Sequence, residues 1–208
     1  MRPPSTLLRL SALVLLLGLG AAFALGPPVR EDIWEWLVIM GTGYWREEEA
    51  TIVALFHLMV LWPLALAGLL RDELWARPIM AWPFVVGSLA VGSFALLPWV
   101  GLSGDAGPIE RKPGLVGGRG WGLLVATTGG LVLGLGAVYG DIVGGLANAR
   151  AEGFVHLMAA DFAALWVMSI ALARRRDAGR AWLWALIPVA GLGVWMALGA
   201  PARPGVRQ

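Results

Sequence analysis

The chain has 208 residues, of which 58% are apolar and 14% are charged, and its formal net charge at pH 7 is +2. Soluble domains are about 45–50% apolar and about 25% charged, so the composition indicates a polytopic integral membrane protein. The small net charge gives no support for nucleic-acid binding. The chain has no cysteine, which excludes disulfides, thiolate metal ligands and cysteine nucleophiles.

Six apolar runs are each long enough to cross a bilayer core of about 30 Å as a helix. These runs are Thr6–Leu25, Thr51–Leu70, Ile79–Leu102, Trp121–Val143, Gly153–Ala173 and Trp182–Ala200. A helix satisfies its own backbone polar groups, as lipid requires. The sequence therefore predicts one all-α membrane domain over residues 1–208, with about six transmembrane helices.

The first run has a second interpretation. Arg2 and Arg9, an apolar stretch and Ala22-Phe23-Ala24 also describe a cleaved signal peptide. The apolar stretch is longer than the core of most signal peptides, which favours a retained helix. Both interpretations remain open at this point.

Two segments between the runs have a distinct composition. Residues 31–45 contain Ile33, Leu37 and Met40 at helical spacing, but they are too short and too acidic to cross. They are typical of a helix in the membrane interface, or equally of an ordered loop with aromatic anchors. Residues 103–120 are rich in glycine and proline and predict a loop.

A short internal similarity joins the second run to the fifth. The stretch FHLMVLWPLAL contains His57 and the stretch VHLMAADFAAL contains His156. Each is followed by a charged loop and a tryptophan-bearing run with an early proline. If each half has three transmembrane helices, the second half starts on the opposite side of the membrane, because three is an odd number. The two halves would then have inverted topology, which is common in transporters. Chance similarity is the alternative.

The distribution of positive charges does not determine the membrane orientation of a chain with six transmembrane helices. Both termini would then share a side with seven arginines, which are Arg2, Arg9, Arg71, Arg77, Arg150, Arg203 and Arg207. The other side would have nine positive residues, and the positive-inside rule cannot separate seven from nine. The run Arg174-Arg175-Arg176 favours a cytoplasmic loop over residues 174–180.

The two histidines fall inside predicted helices, where a polar group is costly and often functional. In six crossings, the second and fifth runs have opposite directions, so the depths of His57 and His156 differ by roughly 16 Å. A single haem held by both is therefore disfavoured. Ligation of a chlorophyll-type pigment by one histidine stays open, as does a histidine without a ligand.

Asp161 lies deeper in the fifth run, within about 9 Å of the depth of His57. We predict a buried His57–Asp161 pair, which is either a functional site or an interhelical hydrogen bond that fixes packing. Glu152 and His156 are four residues apart, on one face of the predicted helix. We interpret them first as a pair that stabilises the start of this helix, and second as candidate ligands. Glu49 is a candidate ligand for a substrate or metal, or a solvated charge at a helix start.

The fourth run contains glycines at repeated four-residue spacings. The pairs are Gly130 with Gly134, Gly136 with Gly140, and Gly140 with Gly144. Small residues let helix backbones approach closely, so the spacing predicts a central, tightly packed helix. A dinucleotide loop is rejected, because no strand precedes these glycines.

The stretch FVHLMAADF, a short charged loop after it, and PFVVGSLAVGSFALLPW resemble a group of poorly characterised multi-pass proteins of cyanobacteria and chloroplasts. The matching pattern falls on His156, Met158, Asp161 and Phe162. The resemblance covers residues 77–100 and 150–177, and the tryptophan-rich stretch 31–45 departs from it. It implies a photosynthetic or related membrane, and no reaction.

Three functions follow as hypotheses. The first is a non-catalytic accessory or assembly protein of an energy-converting membrane, in contact with lipid and with other subunits, pigment or quinone. The second is a small proton-coupled transporter with a His57/Asp161 site at mid-membrane. The third is a membrane enzyme that acts on an isoprenoid or lipid through these residues and Glu49. A bacterial inner membrane or a thylakoid-type membrane is expected.

Overall fold

The computed structural model describes residues 6–42, 50–71, 74, 78–102, 116–176 and 180–198, and these form helices and turns without a strand. In chain order the helices are α1 (Thr6–Leu25), α2 (Ile33–Gly41), α3 (Ala50–Leu69), α4 (Pro78–Val91), α5 (Ser93–Leu102), α6 (Arg119–Tyr139), α7 (Ile142–Ala151), α8 (Gly153–Arg176), a 3-10 helix (Ala181–Leu186) and α9 (Ala190–Ala197). The predicted all-helical class is confirmed.

Among the described residues, three helices are long and apolar enough to cross a membrane, namely Ala50–Leu69, Arg119–Tyr139 and Gly153–Arg174. A shorter apolar helix, Arg9–Leu25, lies within α1. These helices support the assignment of the chain to the integral membrane class, but the six predicted spans are not confirmed. The third and sixth predicted runs instead fold as the two hairpins described below.

Helices α3 and α6 run antiparallel. The Nε1 of Trp121, near the start of α6, donates to the carbonyl of Leu64, near the end of α3, over 3.0 Å. At the other end of the pair, Gly140 lies against Thr51. The start of α3 therefore lies at the same end of the bundle as the end of α6.

Helices α3 and α8 run parallel, which corrects the opposite directions assumed for these two runs. Val53 and Val155, near the two helix starts, belong to one apolar cluster. Farther along both helices, the Nε1 of Trp62 donates to the Oγ of Ser169 over 2.7 Å. The prediction failed because it counted the run between them as a crossing.

That run forms the first hairpin, α4 and α5. Gly92, with φ +58°, separates the two helices, and a Cβ on Gly87 would contact Ala95 at 3.6 Å. At the end of α5, Gly101 packs against Ala12 of α1. Ala12 is about 21 Å along α1 from Gly26, which lies at the start of α8. The hairpin thus turns inside the bundle and returns to the end where α3 finishes.

The second hairpin comprises the 3-10 helix and α9. It starts at the end of α8, where the Arg174 guanidinium lies 5.3 Å from the centre of the Trp182 ring. Deeper in the bundle, the Nε1 of Trp166 donates to the Ala185 carbonyl over 3.1 Å. After a turn at Val189, α9 runs antiparallel to α6. The start of α9 packs against Gly129 of α6, and the end of α9 packs against Gly122.

The bundle therefore has two distinct ends. The hairpin face is the end where both hairpins enter, and it contains the start of α1, the end of α3, the start of α6 and the end of α8. The α2 face is the opposite end, and it contains α2 and α7 together with Gly26, Ala50, Tyr139 and Gly153. Helix α2 buries Trp36 and Met40 against the starts of α3 and α8.

The two halves repeat the same order of elements, namely a long helix, a short surface helix, a second long helix and a hairpin. Their contacts correspond as well: α1 with α5 matches α6 with α9, and α3 with α6 matches α8 with α1. The contact of α3 with α4 likewise matches that of α8 with the 3-10 helix. The halves are therefore related by rotation about an axis between α3 and α8, and not by the predicted inversion.

The predicted surface segments are described in part. A helix occupies Ile33–Gly41 within the 31–45 segment, whereas residues 43–49 lie outside the described residues. Of the predicted loop 103–120, residues 116–118 form a turn and Arg119 already begins α6. The remainder, residues 103–115, lies outside the described residues.

Candidate functional site

The candidate site is the tip of the first hairpin, where Asp161 of α8 meets the start of α5. Asp161 is 4% exposed and Ser93 is fully buried. The backbone N–H of Ser93 donates to Oδ1 of Asp161 over 2.8 Å, and the Ser93 hydroxyl donates to the same oxygen. Because Ser93 is the first residue of α5, the carboxyl group also faces the positive end of that helix dipole.

Gly92 makes this approach possible for two reasons. Its φ of +58° is the left-handed conformation, which glycine adopts without a steric penalty. A Cβ at this position would also collide with Oδ2 of Asp161. The sequence Gly92-Ser93 therefore provides both the turn and the hydrogen-bond donors for the carboxyl group.

The predicted His57–Asp161 pair is replaced by this contact with Ser93. Nδ1 of His57 lies 2.8 Å from the carbonyl of Val53, one turn earlier in α3, and the His57 ring packs edge-on against Phe56. A carbonyl can only accept, so Nδ1 carries the proton in this contact. His57 thus bonds within its own helix, while Asp161 holds a different element.

His156 lies near the start of α8 and joins three elements. Its Nδ1 is 3.0 Å from the carbonyl of Ala149 in α7, and its ring faces Gly26 at the end of α1. Ala163 and Val167, on the same face of α8, are exposed. His156 itself is half-buried between α7 and the end of α1, at the α2 face.

The predicted difference in depth between His57 and His156, on which the exclusion of a shared haem was based, is wrong, since α3 and α8 are parallel and both residues lie in the half of the bundle nearer the α2 face. Their lateral positions nevertheless differ. His57 shares a side of α3 with Ala54, which packs against Gly136 of α6. His156 faces α1, so the two rings point to opposite sides of the α3–α8 pair.

Glu152 caps α8. Its Oε2 accepts from the backbone N–H of Val155 over 2.7 Å, and its Oε1 accepts from the backbone N–H of Arg30 over 3.2 Å. The carboxylate thereby satisfies a free amide of the first turn and fixes the segment after α1. This is helix-start chemistry, and no Glu152–His156 side-chain contact is needed for it.

Glu49, the fifth candidate, lies outside the described residues. Within the described ranges, no three histidine or acidic side chains are grouped closely enough to hold a metal ion. Asp161 and Ser93 form a two-residue contact, and Glu152 and His156 lie at a different level of α8. The described candidates therefore form separate structural contacts.

The glycines of α6 pack differently from the prediction. Gly136 and Gly140 do approach α3, at Ala54 and Thr51, but Gly130 and Gly134 face open space. Gly144 meets the side chain of Asp141, whose carboxylate accepts from Val143 N–H at the start of α7.

A row that the spacing argument missed makes the tightest helix contact of α6. A Cβ on Gly122 would lie 2.5 Å from the backbone N of Ala197, and one on Gly129 would lie 3.0 Å from that of Ala190. The signal in the sequence is the small-residue series Gly122, Ala126 and Gly129, at four- and three-residue spacing. Ser93 and Gly92 were also missed, because a Gly-Ser pair alone does not mark a break: the same pair at Gly87-Ser88 lies within continuous α4.

Comparisons of the chain with protein-family models, with curated proteins and with solved structures return no match.

Proposed function

We propose that the protein is a non-catalytic accessory or assembly protein of an energy-converting membrane. The observation that supports this most is the contact between Asp161 and Ser93. The most deeply placed carboxyl group of the described bundle joins α8 to the first hairpin, and it thereby fixes the fold. A carboxyl group that performed transport or proton transfer would be expected to face a cavity or a substrate.

Other interior polar groups have the same role. The indole of Trp62 bonds to Ser169, that of Trp166 bonds to the Ala185 carbonyl, and that of Trp121 bonds to the Leu64 carbonyl. Each bond joins two different elements. Polar contacts between membrane helices stabilise packing by about 1 kcal/mol each. This pattern is what a rigid scaffold requires.

The outer surface supports a role in contact with lipid and other subunits. Only 17% of the most apolar stretch of α6 is buried within the chain. Its outward side carries Leu131 and Val138, and α7 continues the apolar surface with Val143. Lipid covers such a surface, and so do the helices of other membrane subunits. The photosynthetic type of membrane that the resemblance implies is part of this proposal.

The two alternatives have less support. The transporter hypothesis relied on inverted halves and on a His57–Asp161 pair, and both are replaced by other arrangements. Hairpins that turn inside a bundle do occur in transporters, and this is the feature that still favours it. The enzyme hypothesis relied on an acid–base group made by the same pair.

The test is purification of the tagged full chain from its native membrane in a mild detergent. We expect it to migrate on native gels within a larger assembly, with partner subunits or a chromophore present in fixed ratio by mass spectrometry and absorption. A tagged multi-pass protein of similar expression level is the control. A single monodisperse species without partner or chromophore would contradict the proposal.

A pair of variants distinguishes a structural role of Asp161 from a chemical one. Asp161→Asn and Ser93→Ala weaken the same contact, so we expect both to reduce the amount of folded protein and of assembly together. Folding is measured by size-exclusion chromatography of a fluorescent fusion. If Asp161→Asn folds normally but abolishes assembly or transport, while Ser93→Ala does not, the carboxyl group has a chemical role and the proposal fails.

A further inference from the structure

The basic residues divide very unequally between the two faces once the hairpins are placed. At the hairpin face the described chain has Arg9, Arg71, Arg119, Arg174, Arg175, Arg176 and Arg180, whereas at the α2 face it has Arg30 and Arg150. With six crossings the loops 103–120 and 174–180 would lie opposite the N-terminus. Because both hairpins return to the face they enter from, these segments instead begin and end at the same face.

Chain connection extends this division to the whole sequence. Of the 16 Lys and Arg residues, three belong to segments that join elements at the α2 face, namely Arg30, Arg46 and Arg150. The other 13 belong to segments that start or end at the hairpin face, namely Arg2, Arg9, Arg71, Arg77, Arg111, Lys112, Arg119, Arg174, Arg175, Arg176, Arg180, Arg203 and Arg207. With six crossings, seven positive residues would lie on one side and nine on the other, whereas this arrangement divides them into 13 and three.

We infer that the hairpin face is the cytoplasmic face, and that its arginines bind the headgroups of anionic phospholipids. Positive residues in short loops are retained on the cytoplasmic side. The cytoplasmic leaflet attracts a juxtamembrane basic residue by an energy equivalent to about a fivefold gain in affinity. The side chains of Arg9, Arg119, Arg174 and Arg180 are exposed, and each lies within about one turn of a helix end at the hairpin face.

One described contact and one chain position support a headgroup site near the second hairpin. The Arg174 guanidinium stacks over Trp182, an arrangement that places an amphipathic ring and a cation at the same level. Arg180 precedes the 3-10 helix within the same turn of chain. This inference concerns orientation and lipid contact, and it does not depend on the proposed function.

The chain has no cysteine, so single cysteines can be introduced without any background. We choose Thr42→Cys and Ala151→Cys at the α2 face, and Gly120→Cys and Leu198→Cys at the hairpin face. All four residues are exposed, and Gly120 has open space around it. Each full-length variant is expressed in bacterial cells and treated with a membrane-impermeant maleimide, before and after permeabilisation.

We expect Thr42→Cys and Ala151→Cys to react in intact cells, and Gly120→Cys and Leu198→Cys to react only after permeabilisation. The reverse result would overturn the orientation. If Thr42→Cys and Gly120→Cys react alike and Ala151→Cys and Leu198→Cys form the other class, the chain has six crossings and the inference is wrong.

The lipid contact is tested by titrating the detergent-solubilised full chain with fluorescent phosphatidylglycerol and, for comparison, phosphatidylcholine. We expect preference for phosphatidylglycerol, and affinity about fivefold lower for each of Arg119→Gln and Arg180→Gln. Arg150→Gln, at the α2 face, is the matched control and should leave the affinity unchanged. Equal binding of both lipids, or an equal loss with Arg150→Gln, would overturn the headgroup site.

Discussion

Trp62 and Ser169, one on each central helix, are joined by a hydrogen bond of 2.7 Å from the indole Nε1 to the hydroxyl Oγ. The two residues are 107 positions apart in the chain and both are buried. The bond lies near the rotation axis that relates the two halves. It therefore connects the halves directly, in addition to the apolar contacts around it.

A double-mutant cycle with Trp62→Phe and Ser169→Ala should show this connection. We expect a coupling of about 0.5–1.5 kcal/mol, because each single variant removes the same bond. The free energy of unfolding is measured in detergent with a graded denaturant. Purely additive losses would mean that the bond contributes nothing beyond packing.

Ser93→Ala should lower stability by about 1.5–3 kcal/mol, since the hydroxyl donates to a buried carboxyl group. Ser88→Ala is the matched control, because Ser88 is also buried in this hairpin but donates within its own helix, to the Val85 carbonyl over 2.6 Å. Thermal unfolding of both variants measures the difference. Equal shifts in midpoint would show that the Asp161 contact has no special weight.

Gly92→Ala should lower stability by about 2–4 kcal/mol, through the left-handed backbone and the collision with Asp161. Gly87→Ala serves as the comparison, because its Cβ would meet Ala95 at an ordinary 3.6 Å. We expect that variant to be neutral or slightly stabilising, as alanine favours a helix. A Gly92→Ala protein as stable as Gly87→Ala would contradict the hairpin turn.

Gly122→Ala should loosen the contact between α6 and α9 and cost about 1–3 kcal/mol, because its Cβ would meet backbone atoms. Gly130→Ala, two turns along the same helix, enters open space and should stabilise the helix by up to about 1 kcal/mol. Unfolding in the same detergent compares the two. Destabilisation by Gly130→Ala would place an unseen partner against that position.

The exposed ion pair of Arg30 and Asp32 should make the stability of the fold depend on pH in the acidic range. The Arg30 side chain donates to Asp32 and holds the pKa of that carboxyl group below its ordinary value of 3.8. A lowered pKa stabilises the fold above pH 3.8, and this contribution is lost as the pH falls through the lowered value. Carbon-13 titration of Asp32 should give a midpoint that rises toward 3.8 in Arg30→Gln. An unchanged midpoint would exclude the interaction.

Helix positions were largely predictable from hydropathy. The first run matches α1 at both ends, and the fifth matches α8 at its start, because charge, proline and glycine mark these boundaries. The directions of the helices were not predictable. An apolar hairpin and an apolar crossing bury the same kind of surface, so composition does not distinguish them.

This ambiguity does not explain the wrong partner of Asp161. In the parallel arrangement His57 and Asp161 are the eighth residue of α3 and the ninth of α8, so they still lie at similar depth. They do not meet because they face different neighbours: His57 shares a side of α3 with Ala54, which packs against α6, whereas Asp161 faces the first hairpin. The break at Gly92-Ser93 was the available signal, but a Gly-Ser pair also occurs in continuous membrane helices. Glu152 does lie at a helix start, where its local sequence places it, but its second contact, with the Arg30 N–H 122 residues away, has no local signal.

The parallel relation of the halves has a consequence for how such a chain can arise. If α1 crosses the membrane as α6 does, each half crosses twice and returns to the face where it began. A tandem copy then inserts in the same orientation as the original, without the change of loop charge that an inverted copy needs. Two separate polypeptides, divided in the segment 103–115, should therefore assemble into the same bundle, and a single ancestral half could have formed it as a symmetric dimer.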